Sequence, residues 1–145
     1  MKFNSKKEKW AWFGGLIDGE GCLSLVYHPK KPYRKNPYWD IRLTIVNTSE
    51  KLMQFLKENF KGNWYRANRN FKIQDGRNPK IWKQMYQWVE TGKDLVKLLH
   101  KVSPYLLEKS EQANLLVRAS KLNQNDLLLK TIHNKMKELN KRGIN

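Results

Sequence analysis

Residues 22–28 and 38–46 change character one residue at a time. In the first stretch Leu23, Leu25 and Tyr27 fall on one side and Cys22, Ser24, Val26 and His28 on the other. In the second, Ile41, Leu43 and Ile45 oppose Tyr38, Asp40, Arg42 and Thr44. A period of two with one apolar side describes a strand that buries a single face. A basic, proline-containing loop, Pro29–Pro37, joins the two stretches, so they read as one long hairpin. The apolar face of such a hairpin needs a cover, and the rest of the chain supplies helices.

The first helix precedes the hairpin. Ser5 and Glu8 have the spacing of a capping box, Trp10, Phe13 and Ile17 share a face, and Gly19 and Gly21 end the helix. Thr48-Ser49-Glu50 opens a second helix with Leu52, Phe55 and Leu56 inward, and Lys61-Gly62-Asn63 stops it. A second hairpin is expected from Trp64 to Phe71 and from Lys80 to Val89. A third helix begins after Thr91, carries Leu95, Leu98, Leu99 and Val102, and halts at Ser103-Pro104. Two more are expected, at 109–122 and 125–140. The fold class is therefore α+β: an αββαββ core with a four-stranded antiparallel sheet, helices on one face and additional C-terminal helices. One domain spans 1–145, with its core at 5–120.

Charge narrows the partners. Lys and Arg number 29 against 13 Asp and Glu, a formal net charge of +16. Such an excess repels itself unless a polyanion offsets it, which points to nucleic acid or an anionic membrane. Six Trp and six Tyr distinguish the chain from a disordered basic tail. No apolar run approaches the roughly 20 residues that span a bilayer, so a membrane is not the expected partner. The basic start and short apolar run of residues 1–17 loosely suggest a secretory signal, but Asp18 and Glu20 follow at once without a small-x-small cleavage site. One cysteine, Cys22, forms no internal disulfide. The expectation is an intracellular protein of the cytoplasm, nucleoid or an organelle matrix, not a secreted one. His28, His100 and His133 lack metal-ligand spacing, and no Walker loop or zinc pattern occurs.

The basic residues concentrate on the second, polar face of the expected sheet. Residues 60–83 hold seven Lys/Arg and one Asp, and the first hairpin's loop adds Lys30, Lys31, Arg34 and Lys35. Arg, Asn and Gln hydrogen-bond base edges in a major groove that admits a β-ribbon, while Lys and Arg neutralise phosphate. The candidate DNA-contacting residues are Ser24, Val26, His28, Lys30, Lys31, Arg34, Tyr38, Asp40, Arg42 and Thr44, with Arg66, Asn68, Arg69, Asn70, Lys83, Met85 and Gln87 from the second hairpin. RNA is equally open on charge alone.

One stretch does not fit a routine helix. Phe13-Gly14-Gly15-Leu16-Ile17-Asp18-Gly19-Glu20-Gly21 carries two adjacent glycines, each costing about 1 kcal/mol relative to alanine, directly before two carboxylates. Two glycines on one helix face would let another backbone approach closely. The stretch resembles the signature of the LAGLIDADG homing endonucleases, with Phe13, Gly14 and Glu20 as departures. The αββαββ order fits the whole family domain, and Pro104–Lys109 followed by Gln112-Ala113-Asn114-Leu115 is similar to the family's later helix.

That resemblance implies a metal-dependent, site-specific double-strand DNA endonuclease, intron-encoded, cutting a long near-palindromic site across the minor groove. It implies a homodimer, because one chain has one motif, with Trp10, Phe13, Gly14, Gly15, Ile17 and Asp18 at the interface. Glu20, with Gly19, is the implied ligand of Mg²⁺, with Mn²⁺ or Ca²⁺ as substitutes, Ca²⁺ without cleavage. Asn47 corresponds to the polar residue that orients water. Lys51 and Lys109 correspond to basic residues near the scissile phosphate. The alternatives are an RNA-binding intron maturase and a non-catalytic DNA-binding regulator of the same fold. A ribosomal-type RNA-binding protein fits poorly with the acidic helix end and the glycine pair.

Overall fold

A computed structural model of the protein describes residues 1–67 and 83–142. The chain runs α1 (Lys6–Glu20), β1 (Gly21–His28), β2 (Tyr38–Asn47), α2 (Glu50–Phe60), β3 (Asn63–Arg66), β4 (Tyr86–Thr91), α3 (Gly92–Val102), a single 3₁₀ turn (Ser103–Tyr105), α4 (Ser110–Ser120) and α5 (Asp126–Arg142). The strands form one antiparallel sheet in the order β1-β2-β4-β3. Among the described residues no helix is long and apolar enough to cross a membrane.

The long hairpin forms as expected, and its register runs from Gly21 opposite Ile45 to His28 opposite Tyr38. Leu23, Leu25, Ile41, Leu43 and Ile45 are buried on one face. The helices cover them through Phe13 and Ile17 of α1, Met53, Leu56 and Phe60 of α2, and Leu95 and Leu99 of α3. Phe13 and Phe60 stack at 3.9 Å, and the Phe13 ring meets the edge of Trp88 at 5.9 Å. Trp88 is fully buried, so its indole N–H needs a partner; Nε1 donates to the Lys61 carbonyl at 2.8 Å. Gly62 makes room for that ring. Its φ is +69°, and a Cβ there would lie 2.6 Å from the indole.

Two local expectations change. Ser5 caps α1 by accepting from the Glu8 N–H at 3.1 Å, but Glu8 reaches back to the Asn4 N–H rather than to that of Ser5. β4 starts at Tyr86 and ends at Thr91, later at both ends than expected. Residues 83–85 precede it, and among the described residues pairing continues past β3 through the Ala67 N–H to the Met85 carbonyl at 2.9 Å. The extension carries Glu90 to the buried face, opposite Leu43. Desolvation pushes the Glu90 carboxyl above its usual range, aided by Asp94, while backbone N–H groups of Thr91 and Gly62 and the charge of Lys61 oppose the rise.

α5 covers the β1 edge, and the turn before it covers the start of β2. β1 is an edge strand, and exposed edges template unwanted pairing. His133 Nδ1–H donates to the Leu25 carbonyl at 2.9 Å, and the Asn140 amide donates to that of Leu23 at 3.2 Å. On β2, Gln124 imitates a neighbouring strand. Its side-chain carbonyl accepts the Trp39 N–H at 2.7 Å and its amide donates to the Trp39 carbonyl at 3.1 Å. The Trp39 indole N–H then donates to Asp126 at 2.9 Å.

Candidate active site and nucleic-acid face

α1 delivers Asp18, Gly19 and Glu20 to the point where β1 begins. The pairing of Gly21 with Ile45 brings the end of β2 beside them. Asn47 shares the parity of Ile41, Leu43 and Ile45, so its side chain points toward the helix layer. Its amide donates to the Glu20 carboxylate at 3.0 Å, and its Oδ1 accepts the Ser49 N–H at 2.9 Å. Asn47 therefore holds Glu20 and also shapes the turn into α2, whose N-cap is Ser49.

Asp18 and Lys109 form a reciprocal clasp across 91 residues of sequence. The Asp18 carboxylate accepts the backbone N–H groups of Leu107 at 2.7 Å and Lys109 at 3.0 Å. In return, Lys109 Nζ donates to the carbonyls of Ile17 at 2.9 Å and Asp18 at 3.0 Å. These lie at the negative end of the α1 dipole, where a cation is favourable. Lys109 is thus bonded to backbone, not to the Glu20 carboxylate. A cleft of about 590 Å³ opens beside the clasp, lined by Asp18, Gly19, Cys22, Glu108, Glu111 and Gln112 among others. Lys51 stands exposed in the first turn of α2, and no hydrogen bond joins it to this group. Among the described residues no group of three or more His, Cys, Asp or Glu side chains is placed to hold a metal.

The six residues expected at a dimer interface divide. Phe13 and Ile17 are fully buried in the chain's own core, and Trp10 packs half-buried against Phe13 and Phe60. Gly14 is buried against the 3₁₀ turn: a Cβ would stand 2.8 Å from both Cβ and the carbonyl oxygen of Tyr105. Asp18 is half-buried and engaged in the clasp. Adjacent helix residues sit 100° apart, so the two glycines cannot serve one surface. Only Gly15 faces out, with nothing within 4 Å of its missing Cβ, and Ala11 and Gly19 share its exposed face. Leu107, 81 % exposed and held to Asp18 through its N–H, was not anticipated.

The opposite face of the sheet is polar as expected. Ser24, Val26, His28, Asp40, Arg42 and Thr44 are half-buried there, and Tyr38 is exposed. Lys30 and Lys31 are exposed in the loop, and Arg34 is half-buried. Gln87 lies on this face in β4, while Lys83 and Met85 lie just ahead of the strand. Arg66 does not belong to it. Arg66 pairs with Tyr86, whose ring packs on the core side, and Tyr65, opposite Gln87, takes the outward position with half its surface exposed. Asn68, Arg69 and Asn70 lie outside the described residues. Burial lowers the pKa of His28, and the guanidinium groups of Arg42 and Arg34 lower it further against an opposing Asp40. The ring is therefore neutral at pH 7.

No family model matches the chain, and no curated protein does. Solved structures do. The homing endonuclease I-CvuI is 21 % identical over 92 % of this chain and 83 % of its own, with a TM-score of 0.72. The fold is that of the LAGLIDADG homing endonucleases. The archaeal intron-encoded homing endonuclease I-Vdi141I superposes with a TM-score of 0.65 at 18 % identity, covering 94 % of this chain and 85 % of that one. The LAGLIDADG homing endonuclease I-GzeII has a TM-score of 0.58 at 15 % identity; this chain covers 43 % of its length and 90 % of its own.

Proposed function

We propose that this LAGLIDADG-fold chain is a site-specific double-strand DNA endonuclease that works as a homodimer with a divalent cation. The observation that carries the reading is the Asn47-held carboxylate of Glu20 at the end of α1, beside a sheet whose outer face is polar and whose first hairpin ends in a basic loop. I-CvuI was crystallised with its target in the presence of calcium, and I-Vdi141I was complexed with DNA, which supports a duplex as the ligand here.

Glu20 fits a cation of the magnesium type. Such ions bind through one or two carboxylates plus substrate phosphates rather than through a full protein cage. Asn47 occupies one Glu20 oxygen, Oε2, which leaves Oε1 to ligate, with the Gly19 carbonyl as its neighbour. When bound, the cation supplies Lewis-acid stabilisation of phosphate charge and a more acidic water. The chain's own part is positioning. Asn47 orients the carboxylate, and the Asp18–Lys109 clasp fixes the helix end that carries it. Two such ends are needed for two strands. An exposed α1 face of Ala11, Gly15 and Gly19 suits close packing against a second copy.

The test uses a pool of duplexes randomised over about three turns, enriched by binding to the native chain. In Mg²⁺ the native chain cuts both strands of the enriched duplex, whereas Glu20→Gln binds it and leaves it whole. Cleavage by Glu20→Gln at the native rate removes Glu20 from the chemistry. A native chain that binds but never cuts identifies a non-catalytic binder, and preference for folded RNA over every duplex identifies the maturase reading.

A further inference from the structure

The loop at the end of the first hairpin is built rather than loose. Lys31 and Arg34 exchange two backbone hydrogen bonds, of 3.0 and 2.9 Å, which close a tight turn around Pro32 and Tyr33. Lys30, Lys31, Tyr33 and Lys35 stay exposed, while Arg34 is half-buried. Its guanidinium lies 4.8 Å from the centre of the Tyr38 ring and 5.7 Å from that of Tyr33, and Nη1 donates weakly to the Pro29 carbonyl at 3.5 Å. The Tyr38 ring is in turn stacked on the His28 ring across the β1–β2 pair, at 4.4 Å and 16°. A neutral His28 suits that stack, since it adds no repulsion toward Arg34.

Resting on the endonuclease reading, we infer that Arg34 is a specificity-determining residue that reads a guanine in each half of the target, and that Tyr38 is its positioning residue. A planar guanidinium held on an aromatic face has lost much of its rotamer freedom before binding. Its fork matches the O6 and N7 acceptors of guanine in the major groove. The neighbouring lysines are solvated point charges, suited to phosphate, which carries no sequence information. Geometry also places the contact. The hairpin spans seven residue steps from Gly21 to His28. At about 3.4 Å per step this puts the loop about 24 Å from the end of α1, or about seven base pairs of duplex.

The experiment sequences the duplexes selected from a randomised pool by the native chain, Arg34→Lys, Tyr38→Leu and Tyr38→Phe, all at one salt concentration. The native pool is enriched for guanine at one symmetric position about seven or more base pairs from the centre. Arg34→Lys keeps the charge and the salt dependence of binding, and lowers the guanine preference about tenfold at that position alone. Tyr38→Leu weakens the same preference, and Tyr38→Phe, which keeps the ring, restores it. An enriched native pool whose outer guanine is absent, or survives Arg34→Lys, overturns the inference and leaves the endonuclease reading intact. A native pool with no enrichment at all overturns both.

Discussion

Gly14 and Gly15 look interchangeable in sequence, yet replacing each with alanine should move stability in opposite directions. At Gly14 the new Cβ would meet the Tyr105 carbonyl oxygen and Cβ at 2.8 Å and its carbonyl carbon at 3.1 Å. Those atoms belong to a turn that starts Ser103-Pro104, so backbone rather than a flexible side-chain tip has to move. Overpacking of this kind costs about 3 kcal/mol at the upper end of its range, and the gain in helix propensity returns about 1, leaving about 2 kcal/mol of destabilisation. At Gly15 nothing lies within 4 Å, so alanine keeps the full gain of about 1 kcal/mol. Urea unfolding at concentrations where the chain is monomeric reads both. With a slope of about 2 kcal/mol/M, the midpoint falls about 1 M for Gly14→Ala and rises about 0.5 M for Gly15→Ala. Sedimentation at high concentration supplies the second readout: Gly15→Ala weakens self-association although it stabilises the subunit. A Gly14→Ala midpoint at or above the native one would falsify the division of labour between the two glycines.

Two further perturbations probe the frame of the site. Lys109→Met removes two charge-assisted bonds to the last carbonyls of α1 and should cost about 2 kcal/mol, measured by urea unfolding, with Lys109→Arg recovering part of it; a midpoint unchanged by methionine would mean that the Lys109 arm of the clasp holds nothing. Glu90 tests pH linkage. Its carboxyl titrates higher in the folded state than in the unfolded one, so the buried charge destabilises the fold most above the raised value, and the penalty fades as pH falls toward the ordinary range. Glu90→Gln should therefore exceed the native chain in stability at pH 8 and lose that advantage by pH 4, and a gap that widens in acid would reverse the assignment.

The first hairpin was legible because Leu23, Leu25, Ile41, Leu43 and Ile45 alternate without interruption, and a one-residue slip would turn them all to water. The second hairpin was harder. In Trp64-Tyr65-Arg66 two aromatics compete for the core, and the choice is made by pairing: Trp64 sits opposite the buried Trp88, which turns Tyr65 outward and Arg66 to the helix side. Nothing local to residues 64–66 carries that information. The end of β4 was placed two residues early, and locally a carboxylate at Glu90 argues against an inward position until the Thr91 N–H that partners it is known. α1 misled differently. Its aromatic and small residues surround the helix, so no stripe separates core from contact surface, and the faces of Trp10, Phe13, Gly14 and Ile17 were assigned to a partner when they belong to the chain itself.

The site was legible where it is local and hidden where it is not. Glu20 and Asn47 stand out through motif and strand end, and the hydrogen bond between them follows from the Gly21–Ile45 pairing. Lys109 was visible by resemblance, but its partners were not, because the clasp joins segments 91 residues apart. Its geometry changes the argument about Glu20. A carboxylate at the C-terminal end of a helix opposes the helix dipole, and a chain selected for stability alone would place a lysine or arginine there. Here the cation comes instead from Lys109, whose Nζ donates to the Ile17 and Asp18 carbonyls and leaves the Glu20 carboxylate to Asn47. The dipole is offset without neutralising the acid. An arrangement that compensates the helix end without a cation on the carboxylate is what the metal role proposed for Glu20 requires.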